Sequence, residues 1–277
     1  MSTLVVRPPA VAGRFYPRRP DELRREVREY MTPGAGVATS ETPSTAIGCI
    51  APHAGYMYSG HVAGAVYSRI EVPRQCVVLC PNHTGMGHAL AIMTRATWKT
   101  PLGEVAPAAE LGDALLSGFH SLHEDSSAHR AEHAVEVQLP FLQTRQPELE
   151  LVPIAVGTRD FALLSGLGEA LAQAITRQGA QTLIVASSDM NHYEDDALTR
   201  VKDRKAIDRV LALDPRGLWD VVMNEDVSMC GFGPAIIMLT AAKRLGATSA
   251  DLVKYATSGD ISGDRDQVVG YAGIVVK

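Results

Sequence analysis

The sequence predicts an α/β fold, with parallel strands buried on both faces of a sheet and helices between them. Three observations carry that prediction. Short, β-branched, continuously apolar runs alternate with longer stretches of helical period, the pattern of strands covered on both sides. Of the 277 residues, 46% are hydrophobic and 21% charged, which fits a chain that folds around its own core and excludes disordered, collagen-like and disulfide-scaffold classes. The length allows two small domains or one large α/β domain.

Strands are expected at residues 46–51, 75–80, 89–93, 149–156, 182–187 and 268–276. Helical periods fall at 59–69, 107–117, 133–144, 163–177, 197–213 and 233–245, and Asp214-Pro215 opens a further short helix with Asp as cap and Pro in the first turn. Residues 32–44, rich in Pro, Gly, Thr and Ser, read as a surface loop, because only about 30 residues precede them, too few for a separate core.

The net charge is −5 and no basic run gathers phosphate-neutralising charge, which argues against nucleic acid as a partner. No stretch approaches the roughly 18 apolar residues of a membrane helix, and the amino terminus lacks a basic head with a long apolar segment, so a cytoplasmic protein is expected. Cys49, Cys76 and Cys80 sit in apolar runs, where reduced thiols pack as small hydrophobes. Cys76 and Cys80 are about 13 Å apart along a strand and cannot clip one zinc ion. Cys230 is different: it stands in Ser228-Met-Cys-Gly-Phe-Gly-Pro234 at the start of a helix, where the dipole is expected to lower its pKa.

Eight of the nine histidines divide into two groups, and the ninth, His133, falls at the start of an expected helix. His61, His88, His120, His123 and His129 default to structural or surface roles, and residues 121–131 read as a solvated loop. His53, His83 and His192 each follow the carboxyl end of an expected buried strand, the edge where an open α/β sheet binds ligands. Two imidazoles and one anionic donor on one face of a metal, with positions left for substrate, is the arrangement of non-haem iron oxygenases. Here the anionic donor would be the thiolate of Cys230, which leaves iron, zinc and copper compatible. Asp189 reads as a group that orients a ligating imidazole or caps its turn, and His192 as a general acid or base. Glu136 and Gln138 lie on an expected helix with His133, where Glu136 shares its face or meets solvent. Tyr56 and Tyr58 line a pocket or pack. Asp260, Asp264 and Asp266 do not match a calcium loop and read as a tight turn. Gly231 and Gly233 do not make a dinucleotide fingerprint.

Seven strings in order resemble the Memo family (AmmeMemoRadiSam system protein B in bacteria and archaea). They are Arg7-Pro-Pro-Ala-Val-Ala-Gly-Arg-Phe-Tyr-Pro17, Ala51-Pro-His-Ala-Gly-Tyr-Met-Tyr-Ser-Gly60, Pro81-Asn-His-Thr-Gly85, Glu132-His-Ala-Val-Glu-Val-Gln-Leu-Pro140, Ser187-Ser-Asp-Met-Asn-His-Tyr193, Cys230-Gly-Phe-Gly-Pro234 and Tyr255-Ala-Thr-Ser-Gly-Asp260. The resemblance implies a single α/β domain over 1–277, with a central mixed, mostly parallel sheet flanked by helices, similar to class III (LigB-type) extradiol dioxygenases. Those enzymes hold Fe(II) with two His and one Glu and use a further His as acid or base. By this resemblance His53 and His83 are the His ligands, Cys230 stands where the carboxylate would be, and His192 is catalytic with Asp189 beside it. His133 also faces the pocket by this resemblance. Apart from it, Tyr56, which follows His53, and Asn82 are expected as further substrate contacts.

Three functions follow as expectations. The first is a metal-dependent redox enzyme, Fe(II) foremost with copper or zinc as alternatives, acting on a small aromatic or metal-chelating substrate. The second is a non-enzymatic metal-binding or peptide-binding adaptor, as the family resemblance also implies. The third is a metal-free hydrolase or transferase with Cys230 as nucleophile. The resemblance further implies a functional link to radical SAM and AMMECR-type proteins.

Overall fold

In the computed structural model, which describes residues 5–32 and 42–277, the chain enters through β1 (Val5–Arg7) and α1 (Pro20–Met31). Helix α1 buries only Leu23 and Val27 among its twelve residues; Pro20 sits in its first turn with Asp21 and Glu22 near the positive end of the dipole. Leu23, Val27, Tyr30 and Met31 recur at helical spacing along one face, and charged residues cover the rest. Most of the expected linker, residues 33–41, lies outside the described residues.

The next elements are β2 (Gly48–Ala51), α2 (Tyr56–Arg69), β3 (Gln75–Pro81), β4 (Leu90–Ile92), and the hairpin of β5 (Ala96–Thr100) and β6 (Gly103–Pro107). Then come α3 (Ala109–Gly118), β7 (His123–Glu124), a 3-10 turn at Glu136–Gln138, and α4 (Leu139–Arg145). The chain continues through β8 (Glu150–Val156), α5 (Phe161–Gln178), β9 (Thr182–Ser187), β10 (His192–Glu194), α6 (Asp196–Leu211), α7 (Pro215–Asn224) and α8 (Phe232–Arg244). It ends with β11 (Ala250–Thr257), α9 (Gly259–Ser262) and β12 (Val268–Val276). Asp214 does cap α7, accepting from the Gly217 N–H at 2.8 Å.

All twelve strands found among the described residues join one sheet, whose main path runs β1-β5-β6-β8-β3-β9-β2-β12-β10. Its centre, β8-β3-β9-β2, is wholly parallel; β12 runs antiparallel to β2, and β11 and β10 pair antiparallel with β12. The sheet is therefore mixed and mostly parallel at its heart. The six strands legible in the sequence include all four central ones, because a strand buried on both faces is apolar at every position. The unforeseen strands are edge or hairpin strands with exposed positions, such as Lys99 in β5 and Glu104 in β6.

Alternation along the central strands sends successive side chains to opposite faces. Ile50, Val77, Leu79, Ile154 and Ile184 pack with α5 and α8 on one side, while Cys49, Cys76, Val78, Cys80 and Val185 pack with α1, α2 and α4 on the other. The three apolar-context cysteines are free and buried, as their sequence surroundings suggest.

Two local expectations change. The segment 133–144 is not one helix: regular α structure starts only at Leu139, after the 3-10 turn, so His133 stands on irregular backbone. Residues 121–131 are not wholly solvated, because the chain turns inward at Ala128 and buries His129 completely. Among the described residues no helix is long and apolar enough to cross a membrane.

Candidate metal centre

The carboxyl ends of β2, β3 and β9 lie side by side, and each releases a polar segment into the same cleft. Ala51-Pro-His53 leaves β2, Pro81-Asn-His83 leaves β3, and Ser187-Ser-Asp189 leaves β9. The irregular segment before α4 brings His133 in beside them. Ring centroids of His53 and His83 are 5.2 Å apart, of His53 and His133 5.5 Å, and of His83 and His133 4.8 Å. One donor nitrogen from each of the three imidazoles lies within 4.8 Å of the others, so His53, His83 and His133 form a group that can hold a metal ion.

Hydrogen bonding fixes which nitrogen the rings of His53 and His83 offer. The amide of Gln138 gives its N–H groups to Pro52 O and Ser187 Oγ and accepts from Tyr67 Oη, so its orientation is set. Ser187 Oγ spends its one proton on Ala134 O at 2.7 Å. The 2.9 Å contact between His53 Nδ1 and Ser187 Oγ is therefore a bond donated by the ring, which leaves a lone pair on His53 Nε2. On His83, Nδ1 donates to Glu132 Oε1 at 2.9 Å and likewise leaves Nε2 as the free donor atom. Locking a ligating ring through its other nitrogen is what outer partners of metal sites do.

Glu132 is the residue that the reading of the sequence passed over. It is fully buried and accepts from His83 Nδ1 and from the backbone N–H groups of His83, His133 and Ala134. Burial alone would raise its pKa; the hydrogen bond and charge of His83, with the Ala134 N–H and His133, outweigh that and hold it at about 2. Burial opposes protonation of His83 as well, but Glu132 raises its pKa overall. The pKa of His53 is driven well below the usual imidazole range by burial and by repulsion from His83 and His133, and burial lowers that of His133. Both rings thus favour the neutral form that binds metal. The pair Glu132-His133 held the available signal: a carboxylate next to a histidine within one of the strings that carry the family resemblance.

Cys230 approaches from the other side, with Sγ 3.3 Å from His53 Nε2 and 3.3 Å from the Asp189 N–H that points at it. Gly231 permits this approach, since a Cβ there would come within 2.4 Å of Ser187 O. The expectation of a lowered thiol pKa is corrected: burial and the neighbouring Asp189 carboxylate push it up, and both outweigh a helix that begins only at Phe232. Asp189 Oδ1 accepts the backbone N–H of His53 at 2.8 Å, so this carboxylate anchors the main chain that carries His53.

His192 stands on β10 at the rim. Its Nδ1 lies 3.0 Å from Ser228 O, a carbonyl that can only accept, so His192 Nε2 carries the lone pair. Tyr56 is corrected as a substrate contact. Tyr56 is buried among Tyr16, Tyr30 and Phe141 and donates to Val137 O. Asn82 spends its side chain on its own loop, bonding Met86 O, Thr84 Oγ1 and the Gly85 N–H. Glu136 and Gln138 are buried rather than solvated, Glu136 paired with Arg7.

A mixed α/β protein with a histidine centre at its parallel strand ends is the class that this fold and site define. A family description, "Memo-like protein", matches residues 7–275, so the chain belongs to the Memo family. Similar curated proteins carry the name MEMO1 family protein. One from Methanopyrus kandleri is 43% identical, aligned over 98% of this chain and 99% of its own length. Another from Methanosarcina mazei is 42% identical over 98% and 99%, and one from Pyrobaculum aerophilum 41% over 98% of each. Among solved structures, the uncharacterized protein JW3007 from Escherichia coli K12 shares the fold at 12% identity, with a TM-score of 0.52 over 80% of this chain and 98% of that one.

Proposed function

We propose that this protein is a metal-dependent redox protein that holds Fe(II) at His53, His83 and His133 with Cys230 as anionic donor beside His53, and acts on a small aromatic or metal-chelating substrate. The observation that carries the reading is the pair of imidazoles whose Nδ1 protons are committed to Ser187 and Glu132, presenting Nε2 lone pairs toward a common centre. The donor set fits a borderline metal: neutral imidazoles with one sulfur suit iron, copper or zinc better than magnesium or calcium. A bound metal supplies Lewis acidity and, in the case of iron, a redox couple.

The chain's own residues do the rest. Glu132 orients His83 and places negative charge behind the cluster. Asp189 fixes the backbone of His53 and the position of Cys230. His192 Nε2 accepts a proton from an acidic hydroxyl of the substrate, with Nδ1 held on Ser228 O. The raised pKa of Cys230 counts against the metal-free reading, in which the thiol must ionise unaided.

The test is anaerobic titration of metal-free protein with Fe(II), and with Co(II) as a spectroscopic probe. His53→Ala should abolish tight binding, Cys230→Ser should remove any thiolate charge-transfer band, and His192→Ala should keep the metal. Oxygen uptake with a panel of catechols then reads the redox step. No metal uptake by the wild type would end the proposal.

A further inference from the structure

We infer that the first described residues, 5–16, belong to the metal centre as a positioning strap, with Arg7 and Glu136 as its lock. The inference rests on the metal reading above and adds residues to which that reading gives no part. Arg7 and Glu136 are 2% and 0% exposed and form an ion pair in the core. A buried pair of this kind contributes little to stability unless its remaining hydrogen-bonding capacity is used, so the further partners matter.

Here every remaining bond ties the strap to the ligand-bearing segment. Arg7 Nε donates to His129 O at 3.2 Å and Nη2 to Glu132 O at 2.6 Å, while its guanidinium lies 4.3 Å from the centre of the Trp98 ring. Glu136 accepts from the N–H groups of Ala10 and Val11 at 2.7 and 3.0 Å and from Tyr16 Oη at 2.6 Å. The guanidinium therefore grips the backbone at both ends of 129–132, and Glu136 takes hold of the strap four residues further on. Glu132 closes the first grip, and His133 lies between it and the second.

The strap also reaches the other wall of the cleft. Phe15 O accepts the Tyr56 N–H at 2.7 Å, three residues beyond His53, and the Phe15 ring packs on His133 with centroids 4.7 Å apart. One short segment thus spans from the loop after β2 to the segment before α4, and these carry His53 and His133. His133 stands on irregular backbone, without the 1.5 Å register of a helix to place it. External contacts must do so, and the strap supplies them.

Arg7→Lys discriminates, because a lysine keeps a cation for Glu136 but has one nitrogen where the guanidinium reaches three acceptors. In full-length, metal-free protein titrated with Co(II), the variant is expected to bind about 10- to 100-fold more weakly, with shifted ligand-field bands. The control is Leu167→Ala in the core on the opposite face of the sheet, which lowers the melting temperature but leaves Co(II) affinity and bands at wild-type values. Wild-type affinity and bands in Arg7→Lys would overturn the inference. Should that variant not fold, Tyr16→Phe removes one donor from Glu136 and is expected to weaken Co(II) several-fold; no change overturns the inference equally. A wild type that takes up no Co(II) sinks the metal reading itself and this inference with it, whereas wild-type uptake with indifferent variants sinks only the strap.

Discussion

Two buried carboxylates on either side of the cleft meet opposite fates. Glu132, behind His83, is held at a pKa of about 2, whereas Asp203, behind the His192 loop, is pushed up to about 7. Both are fully buried. The difference lies in their partners. Glu132 accepts from an imidazole that can carry charge and from three backbone N–H groups. Asp203 accepts from one backbone N–H, that of Asn191 at 2.8 Å, and from the neutral hydroxyl of Tyr255 at 2.7 Å, and burial wins. Gly270 makes room for this carboxylate, since a Cβ there would stand 1.8 Å from Asp203 Oδ2. The His83 side of the cleft is thus built around a fixed anion, and the rim side around a group that is easily neutralised. A carboxylate that orients an imidazole must stay charged to do so; one that only props a loop need not.

The comparison breaks most directly at Glu132. Glu132→Gln keeps the shape but turns an amide N–H toward groups that already donate. It is expected to weaken Co(II) or Zn(II) binding by about 10- to 100-fold and to cost roughly 3 kcal/mol of stability at neutral pH, read by metal titration and urea unfolding. The pH dependence has a defined sign: the folded pKa lies below the unfolded value, so this stability is present above about pH 4.5 and lost as pH falls toward 2. A variant with wild-type affinity and an unchanged acid limb would show that the anion is not what holds the site.

Asp203 gives the opposite slope. Its folded pKa is raised, so its contribution is complete below about pH 4 and is lost as pH climbs through 7. Asp203→Asn, neutral at every pH, should flatten that limb and leave the protein more stable than wild type at pH 8 by a few kcal/mol, as urea midpoints across pH 5–9 would show. Equal slopes in variant and parent would place the titration elsewhere. The smallest effect belongs to the rim itself. Tyr193 is 71% exposed and sits at φ 61, in the left-handed region that Tyr adopts at a cost. Tyr193→Asn should raise stability by about 0.5 kcal/mol and leave metal affinity untouched; a loss of stability would mean that the ring's contact with His192 outweighs the strain.

The central strands and the histidines at their ends were legible because a parallel strand buried on both faces is apolar throughout and ends abruptly in polar residues. His53, His83 and His192 declared themselves in that way. His133 reached the pocket list only by resemblance, and Glu132 not at all, because the helical period over 133–144 does not describe the backbone before Leu139 and so marks the wrong inward side there. Tyr56 looked like a pocket residue by adjacency to His53, yet the first turn of α2 rotates it into the core.

The linear order of residues determined the layered α/β architecture, the free and buried state of Cys49, Cys76 and Cys80, and which loops open at the ligand-binding edge, since all of these follow from local periodicity and burial of apolar runs. Tertiary structure alone decided which nitrogen His53 and His83 offer, where Cys230 lies and which way its pKa moves, and how Arg7 comes to grip a segment more than 120 positions away. Those depend on contacts between residues far apart in the chain, and on the balance of burial against hydrogen bonds at single atoms, which no local pattern encodes.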